Sequence, residues 1–304
     1  MTRTARTALV ALAVLAVLAV LPLGVGEYVL GLLTLAFYFA VFAMSWDLLF
    51  GFAGEVNFGP SFLTGIGAYA AGLLNHYAHW PIPACVAAGA VAAVLAGVVL
   101  AIPALKLRGP YFGLVTLVAV LMLQNIITLF AGVTGGEIGL DLPDVLSIDG
   151  ATNYWIALGF MGLSGAVLFG LSRSAAGLIL QAAGQDAIEA AALGFNVAKH
   201  KLAAFCVSAL FSGLSGAMLV FYMGTVSVGT VVDIAVGVQV IIAAVLGGRR
   251  TILGAAIGAV FLIVAGEILR PLGQLSTFVV SGVALIVILF VPGGFLGFFG
   301  RRRA

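Results

Sequence analysis

The chain has 304 residues, of which 63% are hydrophobic and 8% charged, with a mean hydropathy of +1.26 and a formal net charge of +2. A water-soluble domain carries about a quarter charged residues, so this composition excludes a soluble enzyme and calls for a lipid bilayer as solvent. The small positive excess sits in loops between apolar stretches and does not form a nucleic-acid-binding face.

A helix rises about 1.5 Å per residue, so about 20 residues cross the hydrocarbon core. Apolar segments lie at roughly 8–25, 28–50, 61–79, 83–103, 111–131, 154–172, 202–223, 233–248, 252–269 and 275–292. They predict an all-α, polytopic integral membrane protein of about ten transmembrane helices, forming one domain over residues 1–304. Arg3 and Arg6 before the first apolar run are what a secretory signal would show. No small-x-small cleavage site with a polar start after it follows, and Pro22-Leu23-Gly24 leads almost straight into the next span. The first segment is therefore read as a retained helix.

Basic residues near membrane helix ends favour the cytoplasmic side. With the N-terminus inside, Arg3, Arg6, Lys106, Arg108, Arg173, Lys199, Lys201, Arg249, Arg250 and Arg301-Arg302-Arg303 all fall inside, twelve of the thirteen Lys and Arg. Only Arg270 falls outside, with the acidic Glu137, Asp141, Asp144 and Asp149. This threading predicts a multi-pass plasma (inner) membrane protein with both termini cytoplasmic.

Polar groups at membrane depth face a cavity or a partner, because hydrocarbon does not solvate them. Asp47, Glu55 and Asn57 lie in a stretch, Trp46 to Pro60, that Gly51, Gly54, Gly59 and Pro60 break. Either this is a discontinuous segment lining a path, or it is an inner loop between the second and third spans. Gln124 and Asn125 are adjacent in the fifth span and, about 100° apart on a helix, meet different surroundings. Gln239 sits in the middle of the eighth. These amides serve a path or join helices by hydrogen bonds.

After the fifth span, Thr134-Gly135-Gly136 opens an outer segment rich in Gly, Asp and Pro. It permits close backbone approach or forms a turn. Glu267 and Arg270, three apart, are neighbours on a helix and fit an interfacial ion pair. His76, His79 and His200 are not arranged as a metal site. Gly247-Gly248-Arg249-Arg250-Thr251 lacks the Gly-Lys-Ser/Thr of a phosphate loop. No bound cofactor is therefore expected.

The longest inner segment, 173–201, is Ala-rich and reads as helical, with Gly194 and Asn196 as stop signals. It runs Arg173-Ser174-Ala175-Ala176-Gly177, then Asp186-Ala187-Ile188-Glu189-Ala190-Ala191-Ala192-Leu193-Gly194-Phe195-Asn196-Val197, then Lys199-His200-Lys201. This resembles the cytoplasmic coupling region of ABC importer permeases, and most of all the LivM-like branch of the branched-chain amino acid permease family. Gly65-Ile66-Gly67-Ala68-Tyr69, Leu107-Arg108-Gly109-Pro110-Tyr111-Phe112, Thr134-Gly135-Gly136 with Gly139-Leu140, and Leu214-Ser215-Gly216-Ala217 are similar to motifs of the same family.

The resemblance implies a transport subunit without enzyme activity of its own. Its coupling helix, Gln185 to Gly194, would dock on a separate ATPase, with Asp186 and Glu189 facing that partner. Arg173, Ala190 and Asn196 complete the expected coupling set. The expected translocation path comprises Glu55, Asn57, Gln124, Asn125, Thr134, Gly135, Gly136 and Gln239.

Implied partners are ABC ATPase subunits that use ATP, a second related permease chain, and an extracytoplasmic solute-binding protein. Two departures stand out. The family often has Arg before the acidic pair, where Leu178 to Gly184 has none, and Gln and His where this chain has Glu55 and Pro60. A urea or short-amide importer, an ion-coupled secondary transporter using Glu55, Asp47 and Asp233, and a structural membrane subunit remain as alternatives.

Overall fold

The computed structural model describes residues 3–105 and 110–273, with Leu275, Val279, Gly282 and Gly294 beyond them. Lys106, Arg108, most of the expected tenth span and the Arg301–Arg303 tail lie outside the described residues.

The chain is an all-helical, polytopic membrane protein. In order the helices are α1 (Arg3–Val20), α2 (Glu27–Asp47), α3 (Pro60–Ala78), α4 (Ile82–Ala104), α5 (Pro110–Leu129) and α6 (Ala131–Thr134). There follow α7 (Gly150–Arg173), α8 (Ala175–Gln185), α9 (Ala187–Ala192), α10 (Val197–Met223), α11 (Val228–Val231), α12 (Ile234–Gly247) and α13 (Leu253–Ile268). One turn of π-helix, Leu48–Ala53, extends α2. Two two-residue strands, β1 (Leu140–Asp141) and β2 (Thr225–Val226), pair antiparallel with Leu140 opposite Val226.

Among the described residues six helices are long and apolar enough to cross a membrane: Glu27–Ala53, Ile82–Ala104, Tyr111–Leu129, Gly150–Arg173, Val197–Met223 and Val228–Gly247. The segments expected as the third and ninth spans form α3 and α13, which fall outside those six. Polar Asn75 and His76 and several glycines lower the hydropathy of α3, and α13 has only 16 residues.

α2 and α10 form the centre. α2 is buried almost continuously from Ala36 to Leu49, and α10 buries Phe205, Ser208, Ala209, Ser212, Gly213, Gly216 and Val220. Small residues let the backbones meet. A β-carbon at Gly67 would stand 2.5 Å from Gly213 Cα, one at Gly89 would stand 2.5 Å from Gly67 O, and one at Gly216 would stand 2.2 Å from Thr64 O. Close packing of this kind supplies van der Waals attraction where lipid offers no hydrophobic drive.

Polar contacts add to it. Ser45 and Ser212 share a hydrogen bond of 2.8 Å, and the Ser215 hydroxyl donates to Tyr38 O. α1 joins the bundle through the Tyr154 hydroxyl, which donates to Leu18 O. Arg270 donates to Glu267 at 3.0 Å, as their spacing predicts, and Tyr28 also reaches that carboxylate.

The bundle has two chemically distinct ends. One gathers Arg173, Lys199, Lys201, Arg249 and Arg250; the other carries Glu137, Asp141, Asp144 and Asp149. At the acidic end the Asn75 amide donates to Asp144 Oδ2 and Trp80 O, which ties the 140–149 loop to the top of α3. Asp149 caps α7, and hydrogen bonds from the Thr152 hydroxyl and amide hold its carboxyl below the usual carboxylate range.

Candidate functional site

At the basic end the chain runs from α2 through the π-turn to Gly54, Glu55, Val56, Asn57, Phe58 and Gly59 before α3 begins at Pro60. The break expected around Gly51–Pro60 is thus a π-turn followed by an irregular hexapeptide. Gly54 adopts φ +73°, a left-handed conformation that glycine accepts without a Cβ penalty. The Glu55 amide donates to Leu49 O and closes the turn.

Asp47, at the start of this turn, is fully buried. Its Oδ1 accepts from the Arg250 amide at 3.1 Å, and its Oδ2 accepts from the Thr251 and Ile252 amides at 3.1 and 3.0 Å. The α12–α13 loop is thereby fastened to the π-turn. The Arg250 Nε donates to Gly51 O, and the Arg249 guanidinium lies 4.5 Å from the Phe50 ring centroid.

Glu55 faces the other way. Its Oε1 accepts from Lys201 Nζ at 2.5 Å, and both side chains are largely shielded, at 17% and 16% exposure. It is therefore not a free carboxylate on a path. Asn57 is 2% exposed and its Oδ1 accepts from the Gly59 amide, while its carbonyl accepts from Trp46 Nε1. Its amide side chain shapes the entry to α3. Phe58 is the exposed residue of this stretch, at 45%. It packs on Gly113, and its amide donates to Thr116 Oγ1.

The other path candidates lie apart. α5 buries Phe112, Val120, Leu123 and Ile127 against α3 and α4, leaving Asn125 exposed and Gln124 half-buried. This is the difference in surroundings that their 100° separation predicts. The Asn125 Nδ2 donates to Leu121 O, and Gln124 O accepts from the Thr128 hydroxyl. Gln239 is exposed on α12. A β-carbon at Gly65 of α3 would touch both Leu123 of α5 and Val232 before α12, so these three elements form one wall.

Thr134, Gly135 and Gly136 form a turn. The Thr134 hydroxyl donates to Ile127 O at 2.6 Å and accepts from the Gly136 amide, and Gly135 and Gly136 have φ of +76° and +59°. The turn delivers Leu140 to its strand partner.

The coupling segment is a corner, a helix and a second short helix. Arg173 ends α7 and its guanidinium lies 5.3 Å from the Phe169 ring centroid. At the corner a β-carbon on Gly177 would stand 2.4 Å from Ser172 O, so only glycine fits. α8 buries Gly177, Leu180 and Ala183 and meets the π-turn backbone to backbone. A β-carbon on Gly184 would stand 2.5 Å from Phe52 O, and one on Gly54 would stand 2.9 Å from Gly184 Cα.

The expected helix from Gln185 to Gly194 is shorter, Ala187–Ala192. Gln185 ends α8, and Asp186 is the N-cap of α9, its Oδ1 accepting from the Ile188 and Glu189 amides at 2.8 and 3.0 Å. Gly194, at φ +89°, terminates α9 in a Schellman arrangement: its amide donates to Ala191 O and the Phe195 amide to Ala190 O. Asn196 caps α10 by accepting from the Lys199 amide.

Ala190 is the one buried residue of α9. Glu189 is exposed, and Ile188 and Leu193 are exposed at 76% and 73%. Sequence reasoning had no local signal for the Asp47 clamp or the Glu55–Lys201 pair. It also passed over the two exposed apolar side chains, which the caps Asp186 and Asn196 flank in the sequence.

Apolar spans, a tightly packed centre and a capped helical segment at the basic end define a polytopic helical membrane protein without a soluble domain in the described residues. A family profile described as "Branched-chain amino acid transport system / permease component" matches residues 28–292, and the chain belongs to that family. It is 28% identical to the high-affinity branched-chain amino acid transport system permease protein LivM of Escherichia coli K12, over 90% of this chain and 71% of that protein. Its identity to LivM of Salmonella typhimurium is 26% with the same coverage. The BraD permease protein of Pseudomonas aeruginosa is 30% identical over 45% of each chain. No solved structure matches the chain.

Proposed function

We propose that the chain is one transmembrane subunit of an ABC importer that moves branched-chain amino acids inward by alternating access. The carrying observation is α9. A six-residue helix capped at both ends holds Ile188 and Leu193 in solvent at the basic end of the bundle. Apolar side chains exposed on a rigid helix suit a partner's groove, and an ATPase subunit of the importer is the partner this family uses.

ATP is bound and hydrolysed there, and this chain carries no cofactor and no catalytic residue. A second, related permease chain completes the membrane unit as a hetero-dimer. An extracytoplasmic binding protein delivers substrate to the acidic end. The path then runs along the wall of α3, α5 and α12, where Gln124, Asn125 and Gln239 lie, with Phe58 at its inner mouth.

The ion-coupled alternative draws no support from the carboxylates it needs. Asp47 is filled by three backbone amides, Asp233 caps α12 by accepting from the Ala235 amide, and Glu55 is paired with Lys201.

Three experiments test the reading. Topology reporters fused at Asp144 and Asp186 are expected on opposite sides of the membrane, with Asp186 cytoplasmic; the same side for both ends the threading. The complex purified with its ATPase subunits is expected to drive ATP-dependent leucine uptake in proteoliposomes. Ile188→Asp with Leu193→Asp is expected to reduce co-purifying ATPase about tenfold or more, the scale of losing central interface anchors. Full ATPase retention in that variant removes α9 as the docking element.

A further inference from the structure

We propose that Glu55, Lys201, Gly54 and Gly184 form the linkage that carries a push on α9 to the inner mouth of the path. This deepens the importer reading and rests on it. The π-turn Leu48–Ala53 is held differently at its two ends. At its start Asp47 accepts three amides of the α12–α13 loop, and Arg250 and Arg249 donate to Gly51 O and Phe50 O. That end moves only with α12 and α13.

At its far end Gly54 lies against Gly184 of α8, and Glu55 is paired with Lys201 in the first turns of α10. These two contacts come from either side of α9, because α8 precedes it and α10 follows it. The same short segment of chain is therefore gripped by both roots of the element proposed to meet the ATPase. A displacement of α9 reaches residues 54–55 through both.

The segment passes the displacement on within three residues. The Glu55 amide is bonded to Leu49 O, which ties the backbone at Glu55 to the π-turn. Phe58 then follows, exposed toward the α5 side and held to it by packing on Gly113 and by the bond to Thr116. A π-turn carries an extra residue relative to an α-turn and is frequent at functional sites. Here it lies between an anchored end and a driven end, where a change of turn geometry shifts Phe58 relative to the path.

The choice of contacts fits a linkage. The neighbouring Lys199 is exposed, and His200 Nδ1 bonds with Asn196 O, so Lys201 is the one basic side chain of the three directed at Glu55. The pair is shielded enough to resist screening by salt. The Gly54–Gly184 contact is backbone to backbone, a stiff steric coupling with no side chain to absorb motion.

The test compares Glu55→Gln, Lys201→Gln and the charge swap Glu55→Lys with Lys201→Glu. Each is made in the purified complex with its ATPase subunits and reconstituted with radiolabelled leucine as the probe. The single variants are expected to retain the ATPase subunits and to hydrolyse ATP within about twofold of wild type. The leucine imported per ATP is expected to fall about fivefold or more, the low end of measured coupling between distant sites.

The swap is expected to restore most of that ratio. A merely structural pair would lower thermal stability and folded yield without changing the ratio. An unchanged ratio in the single variants, or a loss that the swap does not recover, overturns the linkage. A wild-type complex without ATP-dependent uptake overturns the importer reading and the linkage with it.

Discussion

Replacing Asp47 with Ala is expected to remove most of the folded protein from detergent extracts. The carboxylate is fully buried and accepts the amides of Arg250, Thr251 and Ile252. Truncation leaves three donors without an acceptor in a dry site, at about 1–3 kcal/mol each. The loop is also strained. Arg250 has φ +64° and Ile252, a β-branched residue, has φ +46°, a region such side chains avoid. Strain of that kind persists only where the surroundings over-determine it, and costs about 1–3 kcal/mol per residue. With Asp47 gone the loop is free to relax, and α12 and α13 lose their tie to α2.

Asp47→Asn is expected to fall between wild type and Ala. Its one carbonyl oxygen can still take the Thr251 and Ile252 amides, while its NH2 group faces the Arg250 amide as donor against donor. The measurement is the thermal midpoint and monodisperse yield of the purified subunit. An Ala variant with the yield and midpoint of wild type would show that the loop is held by something else. An ion-coupling carboxylate would give the opposite pattern, with assembly intact and transport lost.

Much of the architecture was legible because a bilayer imposes a length and loops impose a charge rule. The segment limits of α2, α4, α5, α7, α10 and α12 follow from apolar length. Gly194 and Asn196 stop and start helices as their backbone preferences dictate, since a left-handed residue ends α9 and an amide oxygen caps α10. Gly254 and Gly258 share a face as their spacing predicts, and both meet α12, at Gly247 and Ala243. Gly213 and Gly216 divide instead: a β-carbon on Gly213 would meet Ala93 of α4 and one on Gly216 would meet Thr64 of α3.

What failed to show was tertiary. Glu55 and Lys201 are 146 residues apart, and no local pattern marks one for the other. Asp47 reads from sequence as a costly charge in need of a role, and only the fold shows that three amides supply its partner. Thr134-Gly135-Gly136 reads from sequence as a path motif or a turn, and in the fold its hydroxyl, donating to Ile127 O of α5 and accepting from the Gly136 amide, braces a turn. Among the described residues Asn125 and Gln239 are exposed and Gln124 is half-buried, so no contact within the fold marks a role for them.

Gly213→Val is expected to be strongly damaging, because it fills a helix crossing. Gly213 stands where α10 meets α3 and α4 together. A β-carbon there would lie 2.4 Å from Ala93 Cβ, and Gly67 of α3 already approaches so closely that its own β-carbon would lie 2.5 Å from Gly213 Cα and O. Gly89 of α4 approaches Gly67 O in turn. The neighbours are backbone or alanine, so nothing can swing aside, and the helices must separate.

Separation forfeits the close contacts that hold helices together in lipid. Overpacking of a well-packed core costs about 1–3 kcal/mol and more where the backbone must shift, so a loss at or above the top of that range is expected. Gly159→Val is the matched control. Gly159 lies on an exposed face of α7 with no atom within 4 Å of its would-be β-carbon. The same substitution there carries only the small helix-propensity difference between the residues. Thermal unfolding of both variants, purified side by side, separates packing from propensity. A Gly213→Val protein as stable as the Gly159→Val control would mean that α3, α4 and α10 do not cross at this point.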